Sequence, residues 1–370
     1  MLQKGRLSKE RVLLIDVGDV YLKFAFCEKE ERGYRVVLWG SEELNVIFWR
    51  RPLQTVWEVI ERSYGSWGKY SGSNLSKMVI SFSPSVFKAR VREFVFSRKD
   101  SKSAISREEE NGFLSRVKEM LQHDVLDELS KSSGIREGEF MLKKIETMKF
   151  LIDGYEVPKL CGFEGREVRC FVLGTFLLRL YSTMLESMAR EKKLQLPMLI
   201  HEAEALRVFS TLKGKNGIFI DMGDSMTQGI GVKNGEVLFV KEHRKGGDVF
   251  THQLEQMLGM NAESAREFKK KYSRGQLSED LRKRVSQLFL PEARNFGIMI
   301  EEWAQVCPSL LSEPFFLLGG GAQIPELKEF LAEKRDTEIL APQDVQNVFS
   351  WNCSLDPQYT PLMLQFYGIQ

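Results

Sequence analysis

Arg11–Phe26 reads RVLLIDVGDVYLKFAF, and far along the chain Gly217–Gly235 reads GIFIDMGDSMTQGIGVKNG. In each stretch an apolar run enters an Asp-x-Gly-Asp turn and a second stretch leaves it. In the first, Val20, Leu22, Phe24 and Phe26 alternate onto one face, which predicts a β-hairpin with a polar turn. The second stretch ends at Asn234-Gly235, a hairpin turn dipeptide. A third apolar run, Pro314–Ala322 (PFFLLGGGA), goes straight into glycine. Phosphate groups need backbone N–H donors and close main-chain approach, and glycine permits both. A carboxylate at a strand end, Asp16 or Asp221, is placed to hold Mg²⁺ through water, and Lys23 is placed to neutralise a phosphate. Asp-x-Gly alone is a common turn. The near-repeat of IDVGD at Ile15 and IDMGD at Ile220 carries more weight, and predicts two related lobes facing a cleft.

Composition narrows the function classes. The chain has 370 residues, 43% apolar and 28% charged, so an ordinary globular protein of two or three domains is expected. Lys+Arg exceed Asp+Glu by 53 − 51, a net charge of +2, which argues against a dedicated nucleic-acid binder. No apolar run is long enough for a membrane span; the best, Val168–Tyr181, is broken by Arg169 and Arg179. The start of the chain has no signal-peptide pattern. Cys27, Cys161, Cys170, Cys307 and Cys353 form no CxxC pair, and the four histidines no HExxH, so neither a disulfide scaffold nor a zinc site is expected. The cysteines read as small buried hydrophobes in a reducing compartment.

Between the two repeats the chain changes character. Helical spacing marks Leu53–Tyr64, and Gly65–Ser76 reads as a loop. Lys77–Ser83 is a buried strand ended by Pro84. Val86–Phe96 alternates like a strand, and Ser106-Arg107-Glu108-Glu109 has the capping-box form at the head of a helix reaching about Leu129. Phe140–Leu151 and Glu167–Leu173 read as strands around the turn Cys161–Gly165. This block is small enough to be an inserted subdomain. Phe176–Lys193 is then expected as an amphipathic helix. Helices follow at Phe250–Leu258, Ala262–Tyr272, Leu281–Ile300 and Pro325–Glu333.

In motif order the sequence resembles the actin/Hsp70/sugar-kinase ATPase superfamily. Leu14–Lys23 resembles its first phosphate loop, Ile220–Val232 the second, and Phe316–Pro325 the adenosine loop. Within that superfamily the chain is most similar to the bacterial cell-division protein FtsA. The likeness rests on the position of the insertion and on its Arg92-Glu93, Ile105-x-x-Glu108 and Ile152-Asp153-Gly154-Tyr155…Leu160…Gly162…Gly165 pattern. It rests also on Gly246-Gly247-Asp248-x-x-Thr251 with Ala265-x-x-x-Lys269, and on Asp356-Pro357-x-Tyr359…Tyr367-Gly368.

This resemblance implies an α/β, actin-like two-lobed ATPase fold, with duplicated ribonuclease H-like lobes and an inserted α+β subdomain. The first lobe would comprise 1–84, 174–200 and the closing segment 346–370, with the insertion at 85–173. The second lobe would comprise 201–245, a helical subdomain at 246–300 and 301–345. The cofactors implied are ATP and Mg²⁺. Nucleotide contacts would come from Asp16, Gly18, Asp19, Lys23, Asp221, Gly223, Asp224, Ser225, Thr227, Gly246, Gly247, Lys269, Gly319, Gly320 and Gly321, with Asp16 and Asp221 holding the metal through water.

Several positions depart from the family. Asp19 stands where Thr or Ser is usual, and Gly223 is followed by Asp224, Ser225, Met226, Thr227 and Gln228 rather than a Gly-rich Thr-Thr-Asp loop. Carboxylates beside a triphosphate repel it unless metal or Lys screens them. The expectation is a site that binds nucleotide weakly or without turnover, at most a weak ATPase.

Lys270, Lys271, Arg274, Arg282 and Arg284 make a basic run on two second-lobe helices. Such a run is ordinarily a solvated face. The resemblance offers a functional reading: attraction of an acidic partner segment, the C-terminal peptide of FtsZ. His201, His243 and His252 read as structural, and Trp49, Trp57 and Trp67 as packing residues.

The leading expectation is thus an FtsA-like division adaptor, polymerising head to tail and linking FtsZ filaments to the division machinery. It would be cytoplasmic and reach the inner face of the cell membrane only through partners, because Pro361–Ile369 is too short and lacks the basic face of a lipid-binding helix. The alternative is a type IV pilus assembly protein resembling PilM, with a PilN-type peptide as partner; the Asp16–Lys23 spacing and the second loop favour it. A small-molecule kinase is the third reading, but it would need a carboxylate base against a substrate hydroxyl.

Overall fold

The structure, a computed structural model, describes residues 10–31, 33–44, 77–133, 139–191, 195–350 and 356–369. The expected helix at 53–64, the loop at 65–76, the tryptophans at 49, 57 and 67 and Cys353 lie outside the described residues.

The chain opens with β1 (Arg11–Val17), β2 (Tyr21–Glu30), β3 (Gly33–Glu43) and β4 (Lys77–Phe82). β1 pairs antiparallel with β2, with Asp16 opposite Lys23, and parallel with β4. Val12 to Ile15 are fully buried, as a central strand covered on both faces requires. The insertion follows as β5 (Phe87–Ser97), α1 (Arg107–Ser133), β6 (Phe140–Ile152), β7 (Tyr155–Val157) and β8 (Glu167–Leu178). Next come α2 (Arg179–Glu191), β9 (Met198–Leu199) and α3 (Glu202–Lys213). The second lobe begins with β10 (Gly217–Met222), β11 (Thr227–Lys233) and β12 (Glu236–His243), then α4 (Asp248–Leu258), α5 (Ala262–Ser273) and α6 (Glu279–Gln305). It continues with β13 (Phe315–Leu318), α7 (Pro325–Ala332) and β14 (Thr337–Ile339); β15 (Phe349–Ser350) and α8 (Thr360–Ile369) return to the first lobe.

The duplication expected from the repeat is visible in the pairing. The first sheet runs β15-β3-β2-β1-β4-β9 and the second β12-β11-β10-β13-β14. Leaving out the extra edge strand β15, both have the order third-second-first-fourth-fifth. β10 pairs antiparallel with β11 and parallel with β13, as β1 does with β2 and β4. The turns match too: Gly18 N–H donates to Tyr21 O at 3.0 Å, and Gly223 N–H to Met226 O at 2.9 Å. The motif strands are central in both sheets, so their aspartate ends emerge at the crevice where open α/β sheets bind ligands.

The insertion has its own sheet, β5-β8-β6-β7, with α1 laid across it. Phe113, Val117, Leu121, Val125 and Leu129 recur every fourth residue and bury one face of that helix. Ser106 Oγ accepts the Glu109 N–H at 3.1 Å, as a capping box would have it. The Glu109 carboxylate instead takes the Arg98 guanidinium at 2.7 and 3.0 Å, and Arg98 also donates to Gly165 O at 2.9 Å. One buried cation therefore ties the helix start to two loops. The insertion also grips the second lobe: Lys88 and Arg90 of β5 both pair with Glu242 of β12, and Lys149 pairs with Glu236 at 3.2 Å.

The expected helix at Phe176 begins later. Phe176 and Leu177 are fully buried and still paired with β5 and β6, so β8 runs to Leu178 before α2 starts at Arg179. The last segment, α8, is apolar on nearly every side and packs in the core through Leu362, Met363, Leu364, Phe366 and Tyr367. Its Gln365 Nε2 donates to Ile15 O at 2.9 Å and to Ser81 Oγ at 2.6 Å. The helix closes over the motif strand of the first lobe.

Candidate functional site

A cleft opens between the lobes at the ends of β1, β4, β10 and β13, with α5 along one wall. The hairpin register that places Lys23 opposite Asp16 also pairs them chemically: Lys23 Nζ lies 3.0 Å from Asp16 Oδ2. Ser81, at the matching position of β4, donates to Asp16 Oδ1 at 2.9 Å. Asp16 thus has both oxygens engaged. Burial works against the Lys23 charge, but Asp16 and then Asp221 hold its pKa above the ordinary lysine value.

Asp19 bridges the two turns. Its carboxylate accepts from Ser85 Oγ at 3.0 Å and from the Ser225 hydroxyl of the opposite lobe. The Gly246–Asp248 loop is stitched onto the second turn, with Gly247 N–H to Gly223 O and Asp248 N–H to Asp224 O, both at 2.8 Å. A Cβ on Gly246 would lie 2.3 Å from Asp224 O, so only glycine lets the backbones approach this closely. Gly319 has φ +79°, and a Cβ there would lie 2.2 Å from Asp221 Oδ1. The glycine loop after β13 is therefore moulded against the Asp221 carboxylate.

Burial pushes the Asp221 carboxyl up to about 6, with Asp16 and Asp19 adding and Lys23 opposing. It also raises Asp224, against the pull of Lys269. Glu202, the first residue of α3, faces the same space. Its carboxyl is held well above the ordinary range by burial, and then by Asp221 and Asp16, so it keeps its proton where an exposed glutamate has lost it. Glu202 Oε1, Gln228 Nε2 and Gln365 Oε1 are buried polar atoms of the cleft lining that lack hydrogen-bond partners. Such atoms need a partner, which an ordered water or a polar ligand would supply.

Lys269 Nζ donates to Gly247 O at 2.6 Å and to Thr251 Oγ1 at 2.8 Å. Burial lowers its pKa to about 8. The unfolded chain keeps that proton to about 10.5, so between the two values the unfolded state holds the extra proton. Lys269 therefore contributes stability that grows as pH goes from 8 to 10, and Lys269→Met is expected to remove that contribution. Urea unfolding midpoints measured across this window check it; a pH dependence unchanged in the variant would contradict the assignment.

Most expected site residues converge here: Asp16, Gly18, Asp19, Lys23, Asp221, Gly223, Asp224, Gly247, Lys269 and Gly319 to Gly321 all line the cleft. Ser225 joins through Asp19, and Gly246 through its contact with the second turn. Thr227 does not join. Register places Gln228 opposite Asp221, so Thr227 is turned to the other face of β11, fully buried, and donates to Lys245 O at 2.8 Å. Lys270 and Arg274, expected on a partner face, instead line the cleft and are engaged within the chain. Lys270 pairs with Glu267 and lies over the Tyr21 ring, and Arg274 pairs with Asp356 at 2.8 Å. Arg266 of the same helix reaches Glu43 of the first lobe at 2.8 Å. Lys271, Arg282 and Arg284 are exposed. His201 is a buried N-cap whose Nδ1 accepts the Ala203 N–H at 3.1 Å, and burial lowers its pKa to about 3. It is a neutral structural histidine. Among the described residues no group of three or more His, Cys, Asp or Glu is placed to hold a metal ion directly.

The sequence reading missed Glu202, Ser81, Gln228 and Gln365. Gln228 was reachable by counting the hairpin register from Asp221; the others depend on how distant segments meet.

The structure resembles the PilM–PilN type IV pilus biogenesis complex at TM-score 0.68, with 13% identity over 97% of this chain and 98% of that one. It also resembles the ethanolamine utilization protein EutJ from Carboxydothermus hydrogenoformans at TM-score 0.51, with 13% identity over 98% and 91%. The chain has the actin-like ATPase fold. The family model for type IV pilus assembly protein PilM matches residues 205–359. No curated protein sequence gives a significant match. No helix among the described residues is long and apolar enough to cross a membrane.

Proposed function

We propose that this chain is a PilM-like adaptor of type IV pilus assembly that holds a nucleotide in its interlobe cleft and docks a PilN-type peptide. The observation that carries this reading is the PilM family match over 205–359. That span includes the second Asp-x-Gly turn, the Gly246-Gly247 loop, α5 and the Gly319–Gly321 loop. The end-to-end likeness to a chain of the PilM–PilN complex supports it, and so does Lys23 paired across the hairpin with Asp16. These findings favour pilus assembly over the FtsA-like division reading and give no support to FtsZ docking. The protein would be peripheral at the inner face of the cell membrane, held there by its partner.

The unpartnered buried polar atoms of the cleft fit a polar ligand of nucleotide type. Gly247 and Lys269 would hold the ribose side, Gly319 to Gly321 the adenosine side, and Asp221 a hydrated Mg²⁺. ATP, when bound, would supply a charged chain reaching towards the two turns. The residues there are ill suited to turning it over: Asp19 and Asp224 present negative charge where negative charge develops in phosphoryl transfer.

The test is a pull-down with the full chain against immobilised PilN N-terminal peptide and FtsZ tail peptide. Retention on the PilN peptide is expected. Retention on the FtsZ peptide alone would overturn the reading.

A further inference from the structure

The charges lining the cleft are not balanced where a phosphate chain would end. Of the lining cations, Lys23 is paired with Asp16, Arg266 with Glu43, Lys270 with Glu267 and Arg274 with Asp356. Lys269 is the lining cation outside any salt bridge among the described residues, and its ammonium already serves Gly247 O and Thr251 Oγ1. Against it stand the carboxylates of Asp19, Asp221 and Asp224.

Four backbone donors around the turns are committed as well. The N–H groups of Gly18, Gly223, Gly247 and Asp248 each donate to a main-chain carbonyl. In phosphate-binding loops such groups point at the ligand; here two of them close their own turns and two fasten the Gly246–Asp248 loop to the second turn. Asp19 then spans the gap between the turns through Ser225 and Ser85, placing its carboxylate where the two lobes approach each other. With both oxygens of Asp16 engaged by Lys23 and Ser81, Asp221 is left as the motif carboxylate for a hydrated divalent cation.

Elsewhere the cleft is ligand-ready. Gln228 and Gln365 are 1% and 2% exposed, line the cleft and keep an unpartnered polar atom each. The Gly320 position is open, the nearest atom to an added Cβ being 3.9 Å away. Room and polar partners are therefore present for the body of a nucleotide, while the region between the turns disfavours added negative charge.

We propose that Asp19 and Asp224 are specificity-determining residues that make the cleft select a nucleotide with a short phosphate chain, a diphosphate or shorter, over the triphosphate. This rests on the reading that the cleft holds a nucleotide, and it is independent of which peptide the protein docks. Each further phosphate adds charge next to carboxylates in a partly desolvated space, where repulsion is stronger than in water. The selection acts on the last phosphate, because Asp19 joins the two turns rather than facing the glycine loop after β13.

Isothermal titration of the full chain with AMP, ADP and ATP in excess Mg²⁺ tests this. ADP is expected to bind about tenfold or more tighter than ATP, a difference of about 1.4 kcal/mol or more. The Asp19→Ser/Asp224→Ala variant is expected to raise ATP affinity about tenfold and leave AMP affinity within about twofold. Asp224→Asn, which keeps the side-chain shape, is expected to move the ADP-to-ATP ratio the same way and guards against a folding defect in the double variant. ATP binding as tightly as ADP to the native chain would overturn the proposal and leave the nucleotide reading standing. A ratio unchanged in both variants would overturn it too. No binding of any of the three would overturn both the proposal and the nucleotide reading.

Discussion

Glu242→Ala is expected to destabilise the protein by about 3–5 kcal/mol, because it removes the counter-ion of a buried pair. Glu242 is 10% exposed, and it faces Lys88 and Arg90 at 8% and 12%. After the substitution Arg90 keeps Glu128 at 2.8 Å, but Lys88 has no paired carboxylate left among the described residues. Burial already holds the Lys88 pKa below its ordinary value, with Glu242 pulling the other way. Without Glu242 the proton is lost more easily, so the deficit should shrink as pH rises. The pair also joins the insertion to β12, so the loss is expected to fall on the contact between insertion and second lobe. Urea unfolding followed by circular dichroism measures it. A loss under about 1 kcal/mol would show that the pair does not anchor the insertion.

Phe209→Ala should have a similar effect for a different reason. Phe209 is fully buried on α3. Its ring meets Phe219 of β10 edge-on at 6.0 Å and Tyr367 of α8 edge-on at 5.2 Å. These elements come from the second lobe's central strand and the helix that closes the first lobe, so one side chain serves a core shared by both lobes. Truncation leaves a cavity that rigid strands on either side cannot close, at a cost of about 3–5 kcal/mol. Edge-to-face ring contacts add to the loss. Phe209→Leu should recover most of it. Equal unfolding midpoints for Phe209→Ala and the native chain would contradict a core shared between the lobes.

What could be read from the sequence is what depends on local chemistry. An apolar run ending in Asp-x-Gly fixes a strand and its turn within a few residues, so both motif hairpins and the glycine loop after β13 were legible, and their repetition revealed the two lobes. The reading failed where distant segments decide. Phe176 to Leu178 suit a strand or a helix, and pairing with β5 and β6 settles the matter. The basic residues of α5 were visible as charge, but Glu43 and Asp356, which engage Arg266 and Arg274, lie far away in the chain. Glu202 carries no motif of its own; its raised pKa comes from burial and from Asp221 and Asp16 on the two motif strands. Asp19 was legible as a departure from its family, though not as a bridge to Ser225.

The most direct test of the adaptor reading is a fluorescence-anisotropy titration of labelled PilN N-terminal peptide with the full chain, using unlabelled FtsZ tail peptide as competitor. A saturable one-to-one isotherm that the FtsZ peptide does not displace is the expected result. Flat anisotropy across the titration, or displacement by the FtsZ peptide, would contradict the account.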